Sequence, residues 1–286
     1  MKQYRKILDE GEHLLITHAW GQSPTTLYNL AIKALRQNAV PVYILSRKNF
    51  GLKSVVIFFR NHGLSVTIVG KDVGEVRMLL IQCEDRDRLM EVETQRAVEF
   101  DFEANHYKAN VGDAVFSKTG LDNGSRLLLE TFLSQERDSI ARKVTIGDLG
   151  SGWGAISLIL RSECPNARII AIENEPGALS AARANLEHCE NVDLVAADLT
   201  KSNEQALQHM AGSLDYVVSN FSFHISEQER DNFFCNVASL LKSTGAIYCV
   251  AEGRFRSQFR KSASAYLRPV QVIEKERYQV ISSVLI

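Results

Sequence analysis

The stretch that decides the fold is Asp148-Leu-Gly-Ser-Gly-Trp-Gly154, which follows the apolar run VTIG and opens the amphipathic run AISLILRSE. The order of strand, glycine-rich turn and helix is typical of α/β folds that bind nucleotide-like cofactors. Glycine permits positive φ angles and a close backbone approach, while the following helix offers its N-terminal amides. The glycine spacing does not match the GxGxxG fingerprint of dinucleotide-binding folds. An ordinary strand-turn-helix without a ligand is the alternative.

Acidic residues end the strand-like runs that follow this turn. Glu173 ends ARIIAIE, nineteen positions after Gly154, and Asp198 ends NVDLVAAD. Because the carboxyl ends of parallel strands meet at one edge of a sheet, Asp148, Glu173 and Asp198 are predicted to share one site. Glu173 is suited to ribose hydroxyls and Asp198 to the exocyclic amine of adenine. A solvated helix cap is the alternative for Glu173.

Strand-like and helical runs alternate along both halves of the chain. In the second half, the closing runs VQVIEKE and RYQVISSVLI are too close together for a crossover helix, so they are predicted to form an antiparallel hairpin. Residues 12–83 predict a smaller α/β unit with a mostly parallel sheet and no glycine-rich turn after its first strand. The charged stretch 84–112 is predicted to be a linker with a small hairpin-like section. Two domains are predicted. Residues 1–98 form a non-catalytic α/β domain together with the linker, and residues 99–286 form the domain that carries the cofactor site.

Composition excludes several classes of protein. The 286 residues are 45% hydrophobic and 23% charged with a net charge of −1, which excludes a disordered chain and a uniformly basic nucleic-acid coat. No apolar run reaches the roughly 18 residues of a membrane helix, and the N-terminus lacks the apolar core of a signal peptide, so a cytoplasmic location is expected. The five scattered cysteines indicate neither a disulfide framework nor a zinc site.

The glycine-rich turn resembles the first motif of class I S-adenosylmethionine-dependent methyltransferases. The upstream segment VFSKTGLDNGSRLLLETF, preceded by EFDFEANHYKANVGD, is similar to the lead-in of the RsmC-type ribosomal RNA guanine-N2 methyltransferases. This resemblance covers about residues 99–224. It implies a Rossmann-like α/β fold with a seven-stranded sheet that ends in an antiparallel hairpin, preceded by a degenerate α/β domain.

The resemblance also implies roles for individual residues. A cofactor-lid role falls on Phe116, Ser117, Asp122, Gly124 and Ser125, with a helix N-cap and hydrophobic staple around Asp122 and Ser125 as the alternative. The acid before the glycines is expected to support the methionine end of the cofactor. The residues assigned to the cofactor S-adenosylmethionine are Phe116, Ser117, Asp122, Asp148, Gly150, Ser151, Gly152, Glu173, Asp198 and Asn220.

Methyltransferases that act on planar amines carry N-P-P-F/Y after the fourth strand, often followed by His. Here the segment reads Asn220-Phe-Ser-Phe-His224, so Asn220, Phe223 and His224 match as catalytic residues, but both prolines are missing. In the family, the Asn side chain and the next backbone carbonyl accept hydrogen bonds from the target NH2 group while the aromatic ring stacks on the base. His224 is either a general base or a hydrogen-bonded structural group.

The missing prolines leave three functions open: methylation of an exocyclic guanine amine in ribosomal RNA, methylation of a small-molecule or peptide nitrogen, and cofactor binding without turnover. A nicotinamide-dependent dehydrogenase is the competing class of enzyme. A local group of cations after the fifth strand is predicted to contact RNA phosphates, with a solvated helix face as the alternative. These cations are Arg254, Arg256, Arg260, Lys261 and Arg268.

Overall fold

The computed structural model describes residues 12–18, 23–37, 40–47, 51–73, 76–92, 95–112, 120–221 and 225–286. Its backbone forms two compact units, Met1–Arg96 and Ala97–Ile286. The different roles predicted for the two halves of the chain stay predictions. Among the described residues, no helix is long and apolar enough to cross a membrane.

The first unit contains a mixed four-stranded sheet in the order β1-β2-β4-β3. Only β1 and β2 are parallel, whereas β4 is antiparallel to both β2 and β3, so the prediction of a mostly parallel sheet is wrong. Only two residues separate β3 from β4, which is too short for the crossover that parallel strands need. The elements are β1 (Leu14–Thr17), α1 (Pro24–Gln37), β2 (Val42–Arg47), α2 (Leu52–Asn61), β3 (Ser65–Val73) and β4 (Val76–Gln82).

The second unit is built on a seven-stranded sheet in the order β12-β13-β11-β10-β7-β8-β9. The five strands from β7 to β11 are mutually parallel, and β13 lies antiparallel between β11 and β12, which confirms the predicted fold class. The strands are β5 (Gln95–Phe102), β6 (Asn105–Gly112), β7 (Thr145–Leu149), β8 (Arg168–Glu173), β9 (Val192–Ala196), β10 (Leu214–Ser219), β11 (Leu241–Glu252), β12 (Leu267–Lys275) and β13 (Tyr278–Leu285). The helices are α3 (Asn123–Ile140), α4 (Ala155–Glu163), α5 (Pro176–Leu186), α6 (Gln205–Gln208), α7 (Glu227–Leu240) and α8 (Arg256–Ala263).

Apolar side chains cover both faces of this sheet, as central parallel strands require. In β11, Tyr248 and Val250 pack with α3 and α4 on one face, while Ile247 and Cys249 pack with α7 and α8 on the other. The period of two along the strand follows from alternating side-chain directions. Both faces of the sheet are therefore covered, and the carboxyl ends of its parallel strands are where a ligand site is expected.

The stretch predicted to be a linker contains a hairpin, β5–β6, that belongs mainly to the second unit. Phe100 and Phe102 lie two positions apart on one face of β5 and are buried in the same core as Val111 and Trp153. The Phe100 ring meets the Trp153 ring edge-on at 5.6 Å. The predicted hairpin-like section is therefore present. Its assignment to a linker is wrong, because the charges of the stretch alternate with aromatic residues that are buried in the core.

Candidate functional site

Strand register places the predicted acids and Asn220 at one edge of the second sheet. Val218 pairs with Asp148, and Asp148 pairs with Ala171, so β7, β8 and β10 end close together. The hydroxyl of Ser219 donates a 2.8 Å hydrogen bond to the carbonyl of Leu149, both at their strand ends. Asn220 therefore follows its strand directly beside the glycine-rich turn, as parallel strand ends predict.

The glycine-rich turn uses backbone conformations that favour glycine. Gly150 has φ 74°, Gly152 has φ 57° and Gly154, which caps α4, has φ 89°. The amides of Gly150 and Ser151 donate to the carbonyl of Ile172 in β8 at 2.9 and 3.0 Å. A Cβ added at Gly152 would meet nothing within 4 Å in the described structure, so the turn is open on that side.

Asp148 is fully buried beneath this turn. Its Oδ2 accepts a 2.6 Å hydrogen bond from the hydroxyl of Ser157 on α4, while its Oδ1 has no partner among the described residues. Burial, opposed by the Ser157 hydrogen bond, raises the pKa of Asp148 to about 7. The buried hydroxyl of Ser151 also lacks a partner within the described ranges. Two buried polar atoms without partners are expected where a ligand completes the hydrogen bonds.

We expect Asp148→Asn to stabilise the ligand-free protein above pH 7. The folded-state pKa of Asp148 lies above its ordinary value of 3.8, so the cost of burying its charge is absent below that pH, grows up to about pH 7 and is constant above it. A neutral amide avoids that cost, which is on the order of a few kcal/mol. Thermal unfolding at pH 5 and pH 8 measures the effect, with the larger gain in Tm expected at pH 8.

Asp215→Asn is the matched control for that substitution. The Asp215 carboxylate accepts hydrogen bonds from the Thr145 amide and the Lys242 ammonium, both at 2.8 Å, so its neutralisation is expected to lower Tm. A lower Tm for Asp148→Asn at pH 8 would show that the protein stabilises the buried charge instead.

Glu173 and Asp198 lie at the ends of β8 and β9, as predicted, and each already accepts hydrogen bonds from the protein. The Glu173 carboxylate accepts from the amides of Gly152, Asn174 and Glu175 at 2.8 to 2.9 Å. Asp198 accepts from the amide and hydroxyl of Thr200 and pairs with Lys201 at 3.3 Å. Burial alone raises the pKa of Asp198, but these hydrogen bonds outweigh it and hold the pKa below its usual value. Their contacts with ribose and adenine stay predictions.

Asp122, Ser125 and Asn220 form one hydrogen-bonded cluster where α3 begins. Asp122 is the N-cap of α3, the alternative that the sequence left open, and its Oδ1 accepts from the amides of Gly124 and Ser125 at 2.9 and 3.0 Å. Its Oδ2 accepts from the Ser125 hydroxyl at 2.7 Å. Asn220 Nδ2 lies 2.8 Å from that hydroxyl and 3.3 Å from both Asp122 oxygens.

This cluster fixes which end of the Asn220 side chain is presented to the site. A carboxylate is an acceptor only, so the NH2 group of Asn220 must face Asp122. Its carbonyl oxygen then points away and accepts no hydrogen bond within the part of the chain that the structure describes. An oriented carbonyl acceptor beside the glycine-rich turn is suited to receive an N–H of a planar amine.

If Asn220 orients a bound acceptor, Asp122→Asn is expected to lower turnover about tenfold while leaving Tm nearly unchanged, since losing one orienting contact costs rate. Asn is as good an N-cap as Asp, so α3 is retained. The new NH2 group can accept from neither Ser125 nor Asn220, so Asn220 loses one of the acceptors that orient it. Steady-state kinetics and thermal unfolding check the two parts of this result. A drop in Tm large enough to explain the loss of rate by unfolding at the assay temperature would contradict this expectation.

Several predicted residues do not join this arrangement. Phe116, Ser117, Phe223 and His224 lie outside the described residues. Three of the predicted cations are in ion pairs: Arg254 with Glu252, Arg256 with Glu274 and Lys261 with Glu227. Arg268 pairs with Val284 in strand register, near the amino edge of the parallel strands, because α8 carries the chain back before β12 begins. The prediction of a single local cluster is therefore wrong for Arg268, and the RNA contacts of the other four cations stay predictions.

Two residues that support the glycine-rich turn, Ser157 and Asn185, are not among the predicted site residues. Ser157 holds Asp148, and a polar residue within the apolar run AISLIL was the available sign. Asn185 donates to the carbonyls of Trp153 and Asn110 and accepts from the Asn110 amide, all at 2.7 to 2.8 Å. Its side chain thus joins α5, β6 and the glycine-rich turn, a contact between distant segments that no local pattern predicts.

The strand order, the closing antiparallel pair and the glycine-rich turn define the class I methyltransferase fold. The model of the methyltransferase small domain family matches residues 107–282. The chain belongs to this family, which confirms the resemblance inferred from its sequence.

Curated relatives match parts of the chain. A release factor glutamine methyltransferase of Mycolicibacterium smegmatis is 36% identical over 119 residues, covering 38% of this chain and 40% of the relative. A ribosomal RNA small subunit methyltransferase C of Enterobacter sp. is 33% identical over 110 residues, covering 38% and 29%. A ribosomal RNA large subunit methyltransferase G of Yersinia enterocolitica is 24% identical over 209 residues, covering 72% and 51%. The chain thus spans about half or less of these relatives.

A solved structure shares the fold over nearly the whole chain. The T. thermophilus 16S rRNA N2 G1207 methyltransferase (RsmC), in complex with AdoMet and guanosine, superposes with a TM-score of 0.76 at 21% identity. The alignment covers 96% of this chain and 72% of the other. The shared fold includes the smaller α/β part that precedes the methyltransferase part.

Proposed function

We propose that the second unit binds S-adenosylmethionine and transfers its methyl group to the exocyclic amine of a guanine in ribosomal RNA. The observation that carries this proposal is the Asn220 carbonyl, oriented by Asp122 and Ser125 beside the glycine-rich turn. A planar amine needs such an acceptor to hold its nitrogen lone pair toward an incoming methyl group.

The residues of the turn fit the proposed cofactor. Asp148 Oδ1 and the Ser151 hydroxyl are buried without partners in the described structure, which suits them to the ammonium and carboxylate groups of a methionine end. The open side of Gly152 admits a close approach. Glu173 would hold the ribose and Asp198 the adenine amine, on the placement of their strand ends. When bound, the cofactor supplies an electrophilic methyl group.

The chain's own part in the reaction is positioning. Asn220 accepts one N–H of the amine, which places the nitrogen lone pair toward the methyl group. As the methyl group is transferred, the sulfur of the donor leaves as a neutral thioether and the amine gives up one proton to solvent, so little acid or base work is required. Asp148 and Ser157 hold the floor of the turn, so that the methyl donor and the acceptor meet at one strand edge. Family membership supports methyl transfer over hydride transfer by a nicotinamide-dependent dehydrogenase.

Two kinds of acceptor present a planar NH2 group beside a hydrogen-bond acceptor. The relatives named for ribosomal RNA and the neighbour solved with guanosine favour guanine in RNA. The relative named for release factor glutamine favours the side-chain amide of a glutamine in a protein as the second candidate. The cytoplasm is the location that we propose for either activity, and the first unit is proposed to recognise substrate without a cofactor of its own.

The test combines binding and label transfer. Calorimetry with S-adenosylmethionine and S-adenosylhomocysteine is expected to give heat for both, whereas heat only with NAD would contradict the proposal. The protein is then incubated with labelled methyl donor and, separately, undermethylated ribosomal RNA, a bacterial release factor and a small-molecule extract. Label on guanine N2 is expected. Label found only in the release factor or in small molecules would refute the RNA proposal.

A further inference from the structure

The backbone after Asn220 lacks the two prolines that fix it in related enzymes, so another contact must hold it. The structure offers one. Phe221, directly after Asn220, is half-buried and packs against the apolar core beneath α7.

The ring of Phe221 is held on two sides. It stacks on the fully buried ring of Phe233 with centroids 4.5 Å apart and an angle of 14° between planes. Phe233 in turn meets Phe234 edge-on at 5.2 Å, so the stack is anchored in α7. Toward the glycine-rich turn, a Cβ added at Gly150 would lie 2.8 Å from Phe221 Cδ2.

We propose that Phe221 is a positioning residue that takes over the work of the missing prolines by clamping the Asn220 backbone between α7 and Gly150. This inference rests on the proposed function, because it concerns the residue that orients the acceptor amine. Because the ring contacts both the turn and α7, the packing of the side chain restricts the backbone of residue 221. Proline would restrict the same backbone by fixing φ.

The clamp has a consequence for the geometry of the reaction. The Phe221 ring touches the turn that would carry the methyl donor, and its backbone directly follows Asn220, which would orient the acceptor. A shift of this residue therefore changes the distance between the donor and the acceptor. A misplacement of 1 Å at a reacting centre can lower the rate about 100-fold. Gly150 is then required for two reasons, its φ of 74° and the room that it leaves for the ring.

The experiment compares Phe221→Ala, which removes the ring, with Phe221→Pro, which restores the family residue. Turnover is measured with the labelled methyl donor, and cofactor affinity by calorimetry. A third measurement needs neither substrate nor cofactor: the side-chain amide signals of Asn220 in protein labelled with 15N-asparagine, assigned by their loss in Asn220→Ala. Tyr266→Ala is the control, because Tyr266 packs on the same core next to the first residue of β12, at the opposite edge of the sheet.

For Phe221→Ala we expect kcat to fall about tenfold to 100-fold with cofactor affinity changed less than about threefold, as expected for lost positioning. The two amide proton signals of Asn220 are expected to broaden and converge. Phe221→Pro is expected to recover most of the rate and the separate signals, and Tyr266→Ala to keep both. Unchanged Asn220 signals in Phe221→Ala, or a Phe221→Pro variant no better than Phe221→Ala, would overturn the inference.

Failure of this inference is distinguishable from failure of the proposed function. Absence of methyl transfer by the wild-type protein refutes the proposed function, and the Asn220 amide signals still decide whether Phe221 holds that side chain. Methyl transfer by the wild-type protein with unchanged signals in Phe221→Ala refutes the clamp alone.

Discussion

Asn220→Ala is expected to lower kcat about 100-fold or more while the affinity for S-adenosylmethionine changes much less. The substitution removes the carbonyl that we propose receives the amine N–H at the reacting centre. It leaves the buried Asp148 and Ser151 untouched, because neither contacts Asn220 through a hydrogen bond in the described structure. Steady-state kinetics with the methyl acceptor measure kcat, and calorimetry with S-adenosylmethionine measures the affinity for the cofactor.

Asn166→Ala is the matched control for this result. Asn166 likewise donates its side-chain amide, to the carbonyl of Ala141 at 3.0 Å, but it lies exposed just before β8 begins, away from the strand ends that carry the site. It is expected to keep wild-type kcat. A cofactor affinity that falls as much as kcat in Asn220→Ala would mean that Asn220 binds the cofactor and does not orient the acceptor.

Gly150→Ala is expected to have the second largest effect, weakening cofactor binding at least about tenfold and lowering kcat further. An Ala at φ 74° is strained by roughly 1 kcal/mol, and its Cβ would lie 2.8 Å from the ring of Phe221. The turn and the Asn220 backbone cannot both keep their places, so donor and acceptor sites are both displaced. Calorimetry, kinetics and thermal unfolding together record these losses.

Gly152→Ala separates strain from collision. Gly152 has a similar φ of 57°, but a Cβ there meets nothing within 4 Å in the described structure. In the ligand-free protein, Gly150→Ala is therefore expected to lower Tm more than Gly152→Ala does. In a Phe221→Ala background, which lacks the ring, the two glycine substitutions are expected to lower Tm by similar amounts. Equal losses of Tm in the two glycine variants would contradict a close contact between Gly150 and Phe221.

The sequence predicts most of the second unit because its signals are local. The glycine-rich turn, the acids Glu173 and Asp198 at strand ends and the short link before β13 each follow from spacing along the chain. Parallel strands then bring these positions to one edge without further information. The fold class and the family were predictable for this reason.

The remaining features depend on contacts between distant segments. The orientation of Asn220 needs Asp122, 98 positions earlier, and the hold on its backbone needs the stack of Phe221 on Phe233. The mixed sheet of the first unit escaped prediction because the alternation of helices and strands suggested crossovers, although the tight link between β3 and β4 allows none and is a local sign of the same kind as the link before β13. The contacts of Asn220 and Phe221, in contrast, are set by packing in three dimensions and leave no periodic trace.

The hairpin β5–β6 determines where the second unit can be cut. The family model begins at residue 107, within β6, so a fragment trimmed to that boundary loses all of β5. It would lose Phe100 and Phe102, whose burial contributes roughly 1.5 to 3 kcal/mol each, and would expose the edge of Trp153 within the glycine-rich turn. A fragment that keeps this core therefore starts ahead of β5, and a truncation at the boundary of the family model removes part of the core against which Trp153 of the glycine-rich turn packs.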